Sequence, residues 1–361
     1  MKQAGNANSY YYSQLNKQQQ KAYFAMKAGL QAMAPSFPVP KLEGAELSNI
    51  YFLLRLDCPE LFYSVKFSYR YYVDSENVEF IPEYLFQKNK LLDHKNAMEA
   101  RVKKLARQAE KLSEKEKELF IHDFICENVR YDKLKKAYSH EIIGPLGQGV
   151  GVCEGIAKAV KILCDALGIW CIIAISEANP EKKIKYRHAW NVIRIEGKYY
   201  HLDATFDNTL GKSGMTRYDY FNLSDTQFFR DHEPVIWKVP ECTDGDHTYY
   251  REKKISFTKL EDVRKRTAQA VKKGKTLLFH WRGGYLTREI LGEMLQIFEE
   301  EAAKKEKHAY LSLNWPQAVL QVSFKEQIPQ QQVIMEEANE GELEQESTDN
   351  SAGLYTDLPQ A

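Results

Sequence analysis

Cys153 stands where a glycine-rich loop runs into an apolar helical pattern, in the stretch GQGVGVCEGIAKAVKILCDALG (147–168). The unpaired N–H groups of a helix start stabilise a thiolate placed there. Gly149 and Gly151 let the backbone turn sharply and leave amides open that could hold an oxyanion. A small buried hydrophobe is the alternative for a lone cysteine at a helix start. Cys164 lies eleven residues on, about 16 Å along the axis, so the two cannot share a metal or a disulfide and Cys164 reads as core.

A thiolate needs an imidazole and a group that orients it. Both occur in RHAWNVIRIEGKYYHLDATFD (187–207). Glu196-Gly197 reads as a two-residue hairpin turn. If Ile195 then pairs with Lys198, Trp190 stands opposite Asp203, and His188 is a diagonal neighbour of Asp203 on the same face. A slip of one residue would put them on opposite faces. His201 lies on that face too and competes for the role of base, but it pairs with Val192, further from Asp203. Asp207 is a second candidate acid, near or past the strand end, where it reads as a cap or turn residue.

A phosphate-binding loop does not fit. Starting from Gly147 or Gly149, the sixth position of G-x-G-x-x-G is Val152 or Glu154, no strand precedes, and G-K-[ST] is absent. Glu154, one residue into the helix, would repel an anion.

The elements that must position these residues can be read from periodicity and breakers. Residues from about 10 to 57 form two helices around the breaker run APSFPVP, and YSVKFSYRYYVD and VEFIPEY form a strand pair. From Lys88 to about Asn128 the chain is helical, with a capping box at Ser113 and Glu116. The Cys153 helix comes next, followed by IWCIIAIS and the hairpin, an order that argues α+β rather than a doubly wound parallel sheet. From about Ile255 a strand, helix, strand, helix and final hairpin make a small α/β unit. The expected organisation is an N-terminal helical and hairpin region (10–87), a catalytic core (88–248), a small α/β domain (250–326) and a disordered acidic tail (327–361).

Composition bounds the function class. The 361 residues suffice for two or three domains, and 50 Lys+Arg balance 50 Asp+Glu, leaving no global field for nucleic acid or an anionic membrane. No run approaches the roughly 18 apolar residues of a membrane span, and MKQAGNANSYYYSQLNKQQQ has no apolar signal segment, so a cytoplasmic location is expected. The six cysteines show no C-x-x-C pair and are expected reduced. With no H-E-x-x-H and no Cys/His cluster, neither metal nor organic cofactor is expected.

With both motifs in hand, GVCEGIAKAVKILCDALGI and HAWNVIRIEGKYYHLDATFD, the sequence resembles the transglutaminase-like superfamily, whose fold is related to the papain-like cysteine proteases. The run from about Leu112 through RYDYFNLSDTQFFRDHEP, and DCPELFY upstream, are similar to segments of bacterial multi-domain members. The resemblance implies Cys153 as nucleophile, His188 as general base and acid, and Asp203 as the group that orients the imidazole. It implies acyl transfer through a thioester on a protein or peptide amide, ending in transamidation or hydrolysis. Gln148, His140 and Trp190 are candidates for an oxyanion side chain. The rival is an inactive binding or scaffold module of the same fold, which a cleft plugged by Tyr186 or by the N-terminal region would favour.

Overall fold

Asn16 accepts from the N–H groups of Gln18 and Gln19 while the Gln19 side chain accepts from the Asn16 N–H, a reciprocal cap that opens α1 (Lys17–Gln31). The computed structural model describes residues 9–182, 184–211 and 215–326; the disorder expected of 327–361 lies outside them. The run APSFPVP does more than break the helix, because Phe37–Pro40 forms strand β1 before α2 (Gly44–Asp57). Pro38 and Pro40 have no N–H to donate, which confines such a strand to a sheet edge. There β1 pairs antiparallel with β3 (Asn77–Tyr84), which also pairs with β2 (Ser64–Arg70), in the order β1-β3-β2.

Two helices follow, α3 (Lys88–Ala109) and α4 (Glu114–Asn128), the latter opened by the Ser113–Glu116 capping box. Short parallel strands β4 (Arg130–Tyr131) and β5 (Val150–Gly151) bracket a π-helical turn at Gly144–Gln148. Gly149 ends that turn at φ 65°, a left-handed conformation that glycine adopts without a steric penalty. The chain then enters α5 (Cys153–Leu167) at Cys153.

Helix α5 is buried nearly all round and packs on α3 and α4 on one side and on the sheet beyond on the other. Ile156, Val160, Leu163 and Leu167 fill its apolar contacts, each side chain contributing roughly 1.5–3 kcal/mol. Lys158 and Lys161 are also fully buried on it, and a buried ammonium requires carboxylate partners. The sheet is antiparallel, β6 (Trp170–Ser176), β7 (His188–Ile195), β8 (Lys198–Leu202) and β9 (Phe221–Leu223), in the order β6-β7-β8-β9. Glu196 and Gly197 turn at φ 49° and 84°, and Ile195 pairs with Lys198 and Val192 with His201, the register that the two-residue turn predicts. α6 (Ala204–Leu210), α7 (Asp225–Phe228) and α8 (Tyr249–Glu252) are short helices. The result is a mixed α/β protein with antiparallel sheets.

One apolar cluster runs from Tyr11 through α5 to Phe221, so the N-terminal region shares its core with the segment carrying Cys153. The Tyr11 hydroxyl donates to the Ile173 carbonyl at 2.6 Å, and Asp57 accepts the Tyr11 and Tyr12 N–H groups. A separate cluster lies in the C-terminal unit of β10 (Ser256–Phe257), α9 (Leu260–Lys273), β11 (Leu277–Trp281), α10 (Arg288–Ala303), β12 (His308–Asn314) and β13 (Val319–Lys325). Its sheet order is β10-β11-β13-β12. Asn314 donates to Asp219 at 2.9 Å, and Arg217, which pairs with Asp219 at 2.6 Å, donates to Gln321 at 3.4 Å, tying this unit to the turn that enters β9.

Gly155 sets how close α5 comes to the loop before it. A Cβ at Gly155 would lie 2.1 Å from the Ser139 carbonyl oxygen. Gly155→Ala should therefore destabilise the fold by about 1–3 kcal/mol, read as a lower denaturant midpoint at unchanged slope; a midpoint equal to that of the wild type would show that the helix start can shift without cost.

Candidate functional site

Cys153 is the first residue of α5, and its residue is 8% exposed. It borders a cleft of about 450 Å³ together with His188, His140, Phe52, Tyr131 and Tyr186. Tyr186 is 46% exposed, and Lys135 Nζ lies 3.5 Å from its ring centroid. Phe52 and Tyr186 are among the walls of this cleft. Two hollows of about 490 Å³ elsewhere, one against α9 and α10 and one between Tyr218 and α9, are lined by neither cysteine nor histidine.

The helix start is held by charge. Glu154 accepts from Lys158 Nζ at 2.7 Å, faces His140 Nδ1 at 3.3 Å, and lies 3.6 Å from Arg55. Glu141 pairs with Lys158 at 2.9 Å and with Arg55. Burial would push the Glu154 carboxyl up, but Lys158, His140 and Arg55 more than offset it and hold the group well below the usual carboxylate range. The acid beside Cys153 is therefore neutralised by its neighbours instead of opposing a thiolate.

His188 opens β7 and Asp203 follows the last residue of β8, so the hairpin register brings them together. His188 Nε2 lies 2.5 Å from Asp203 Oδ2. Asp203 is also the N-cap of α6, its Oδ1 accepting the N–H groups of Thr205 and Phe206 at 2.9 and 3.1 Å. The carboxyl is fully buried, which by itself raises its pKa, but His188 and His232 reverse that and hold it well below the ordinary value.

The competing residues are placed elsewhere. Trp190 Nε1 donates to His201 Nδ1 at 3.0 Å, and His201 Nε2 lies 2.8 Å from Asp225 Oδ1. Burial pushes the His201 pKa down, with Asp225 in part opposing. Asp207 lies within α6, not at its start; it accepts the Asp219 and Tyr220 N–H groups at 2.7 and 3.1 Å and faces His122 Nε2 at 3.0 Å. Of the three oxyanion candidates His140 borders the cleft, Trp190 is committed to His201, and Gln148 is exposed on the preceding turn. His122 and Cys126 form another imidazole–thiol contact at 3.6 Å, but burial pushes the Cys126 thiol up.

Among the described residues, two groups bring metal-ligating atoms within 4.8 Å, His188, Asp203 and His232, and His201, Asp225 and Cys242. In the second, Trp190 donates into Nδ1, so the proton of a neutral His201 sits on Nε2 and points at Asp225. In the first, the imidazole–carboxylate separations of 2.5 and 3.0 Å are hydrogen-bond distances; tetrahedral zinc ligands at 2.0–2.1 Å from the ion stand roughly 3.3 Å apart. Hydrogen bonding accounts for both groups. His232, within RYDYFNLSDTQFFRDHEP, has no spacing signal toward Asp203 in the sequence.

Residues 101–204, which contain the loop, α5 and the hairpin as far as Asp203, match the family profile described as the transglutaminase-like superfamily. This segment is similar to the core of that superfamily. No curated protein matches the chain. Among solved structures, a TGase is 11% identical with a TM-score of 0.26, the match covering 39% of this chain and 44% of that one. A candidate cysteine protease from Cytophaga hutchinsonii is 16% identical with a TM-score of 0.22, covering 39% and 61%. A candidate protease from Parabacteroides distasonis ATCC 8503 is 16% identical with a TM-score of 0.25, covering 38% and 35%. The matches thus span less than two thirds of each of those chains. Among the described residues, no helix is long and apolar enough to cross a membrane.

The two candidate acids separate by measurement. A carboxylate held below its ordinary pKa contributes stability that is fully present above about pH 4 and lost as pH falls further. The denaturant midpoint of the wild type should therefore fall more steeply below about pH 4 than that of Asp203→Asn; parallel curves would contradict the depressed Asp203 pKa. Asp207→Ala, which leaves His122 and two buried N–H groups without their acceptor, should cost about 3–5 kcal/mol at neutral pH.

Proposed function

We propose that the protein is a cysteine-dependent enzyme that transfers or hydrolyses the acyl group of a protein or peptide amide, with Cys153, His188 and Asp203 as its triad. The observation that carries this reading is that Cys153, at a helix start, and His188, whose Nε2 is held at 2.5 Å by Asp203, border one open cleft. With Nε2 committed to Asp203, Nδ1 is the ring nitrogen that exchanges a proton with the thiol. The thiolate attacks the amide carbonyl, backbone amides at the start of α5 hold the oxyanion, and His188 protonates the leaving amine to give a thioester. An amine then resolves the thioester in a transamidation, or water resolves it in a hydrolysis. No step requires a metal or an organic cofactor.

The test is alkylation by iodoacetamide across pH, with the labelled peptide identified by mass spectrometry. Cys153 should react near neutral pH, below the ordinary thiol pKa of about 8.5, and His188→Ala should slow it by about 100-fold or more. A Cys153 that reacts only at high pH and ignores His188 would favour the inactive module. If labelling behaves as expected, glutamine- and peptide-amide substrates offered with and without a primary amine distinguish transferase from hydrolase.

A further inference from the structure

Asp203 serves two imidazoles. Its Oδ2 takes His188 Nε2 at 2.5 Å and His232 Nε2 at 3.0 Å, while Oδ1 takes the two N–H groups of α6. An ionised carboxylate has about four acceptor positions, and here two backbone N–H groups and two imidazole nitrogens face them. His232 is fixed in turn. Its Nδ1 lies 2.9 Å from Asp231 Oδ1, and Asp231 accepts the Tyr220 hydroxyl at 2.6 Å and the Gln317 amide at 3.2 Å. Its ring stands 3.8 Å, centroid to centroid, from Phe228 and is 6% exposed as a residue. It does not border the Cys153 cleft.

We propose that His232 is a positioning residue of the acyl-transfer site, its Nε2–H fixing the Asp203 oxygen that orients His188. The proposal rests on the Cys153–His188–Asp203 reading. The two capping bonds on Oδ1 already limit rotation about the Cβ–Cγ bond of Asp203; a donor on Oδ2, from a ring that Phe228 and Asp231 hold still, narrows the rotation that the caps leave to it. Two donors on one oxygen also share its charge, so the Nε2 proton stays on the His188 ring instead of passing to Asp203 when the ring takes the thiol proton. Gln317 lies in the turn between β12 and β13 and bonds Asp231 and the Gln227 carbonyl. The C-terminal unit therefore helps to place the ring that places Asp203.

The experiment is iodoacetamide alkylation of Cys153 in the full-length protein from about pH 5 to about pH 10, comparing wild type, His188→Ala, His232→Phe and His232→Gln. His232→Phe keeps an aromatic ring against Phe228 but has no N–H. It should slow alkylation about tenfold or more, as loss of an outer hydrogen-bond partner commonly does. It should also move the alkaline limb of the pH profile upward, because Oδ2 without a second donor holds the His188 proton more tightly. His232→Gln, whose amide can donate, should recover much of the rate and of the limb position. If His232→Phe matches wild type in both while His188→Ala is slow, the positioning role is overturned and the triad stands. If wild type is as slow as His188→Ala at every pH, the triad reading falls and this proposal with it. Should His232→Phe fail to fold, His232→Gln and the imidazole ¹⁵N spectrum of the wild type decide: a His232 Nε2 that carries no proton overturns the proposal.

Discussion

The buried charges under the first turn of α5 are the constraint on which the rest of the site depends. Arg55 from α2, Glu141 from the loop before the π-helical turn, and Glu154 and Lys158 from α5 form a balanced set of two cations and two carboxylates. A buried charge without its partner is costly, so each member requires the others. This fixes α2, the loop and the helix start in one arrangement, and Cys153 has nowhere else to lie. The cluster also explains how an acid can follow the cysteine directly, because Lys158 and Arg55 balance Glu154 before its field acts on the thiol.

Asp203, behind His188, is a second fixed point. Asp203 ends β8 and caps α6 with one carboxylate oxygen, leaving the other for imidazoles. The capping bonds orient the carboxylate for a reason local to the chain, and the hairpin register delivers His188 to it. Helix α5 and the hairpin are joined directly as well, since Asn191 on β7 donates to the Ala157 carbonyl at 3.0 Å. The cleft is the space left between two elements that are each rigid on their own account.

The flanking regions take part in this arrangement. Phe52 on α2 forms a wall of the cleft, and Arg55, one turn further, reaches the charge cluster. At the other end, Asn314 and Gln317 of the C-terminal unit bond Asp219 and Asp231 in the segments on either side of β9. Segments with no chemistry of their own in the sequence thus hold the parts that have it.

Much of the core was legible in the sequence because its signals are local. The Ser113–Glu116 cap, the Glu196-Gly197 turn and the alternation of the hairpin are set by residues a few positions apart, and the turn alone determines that His188 and Asp203 share a face. β1 was not legible, because two prolines in four residues read as a breaker and only a sheet edge makes them acceptable. His232 was not legible either, since 29 residues of chain separate it from Asp203 and only the packing of Phe228 and the bonds of Asp231 bring its ring back. The sequence by itself determined the residue types, the helix start under Cys153 and the hairpin register, all consequences of near neighbours. Tertiary structure alone decided that His232 also meets Asp203, that His201 is held by Asp225, and which charges balance Glu154, because each depends on elements distant along the chain that meet only when the core closes.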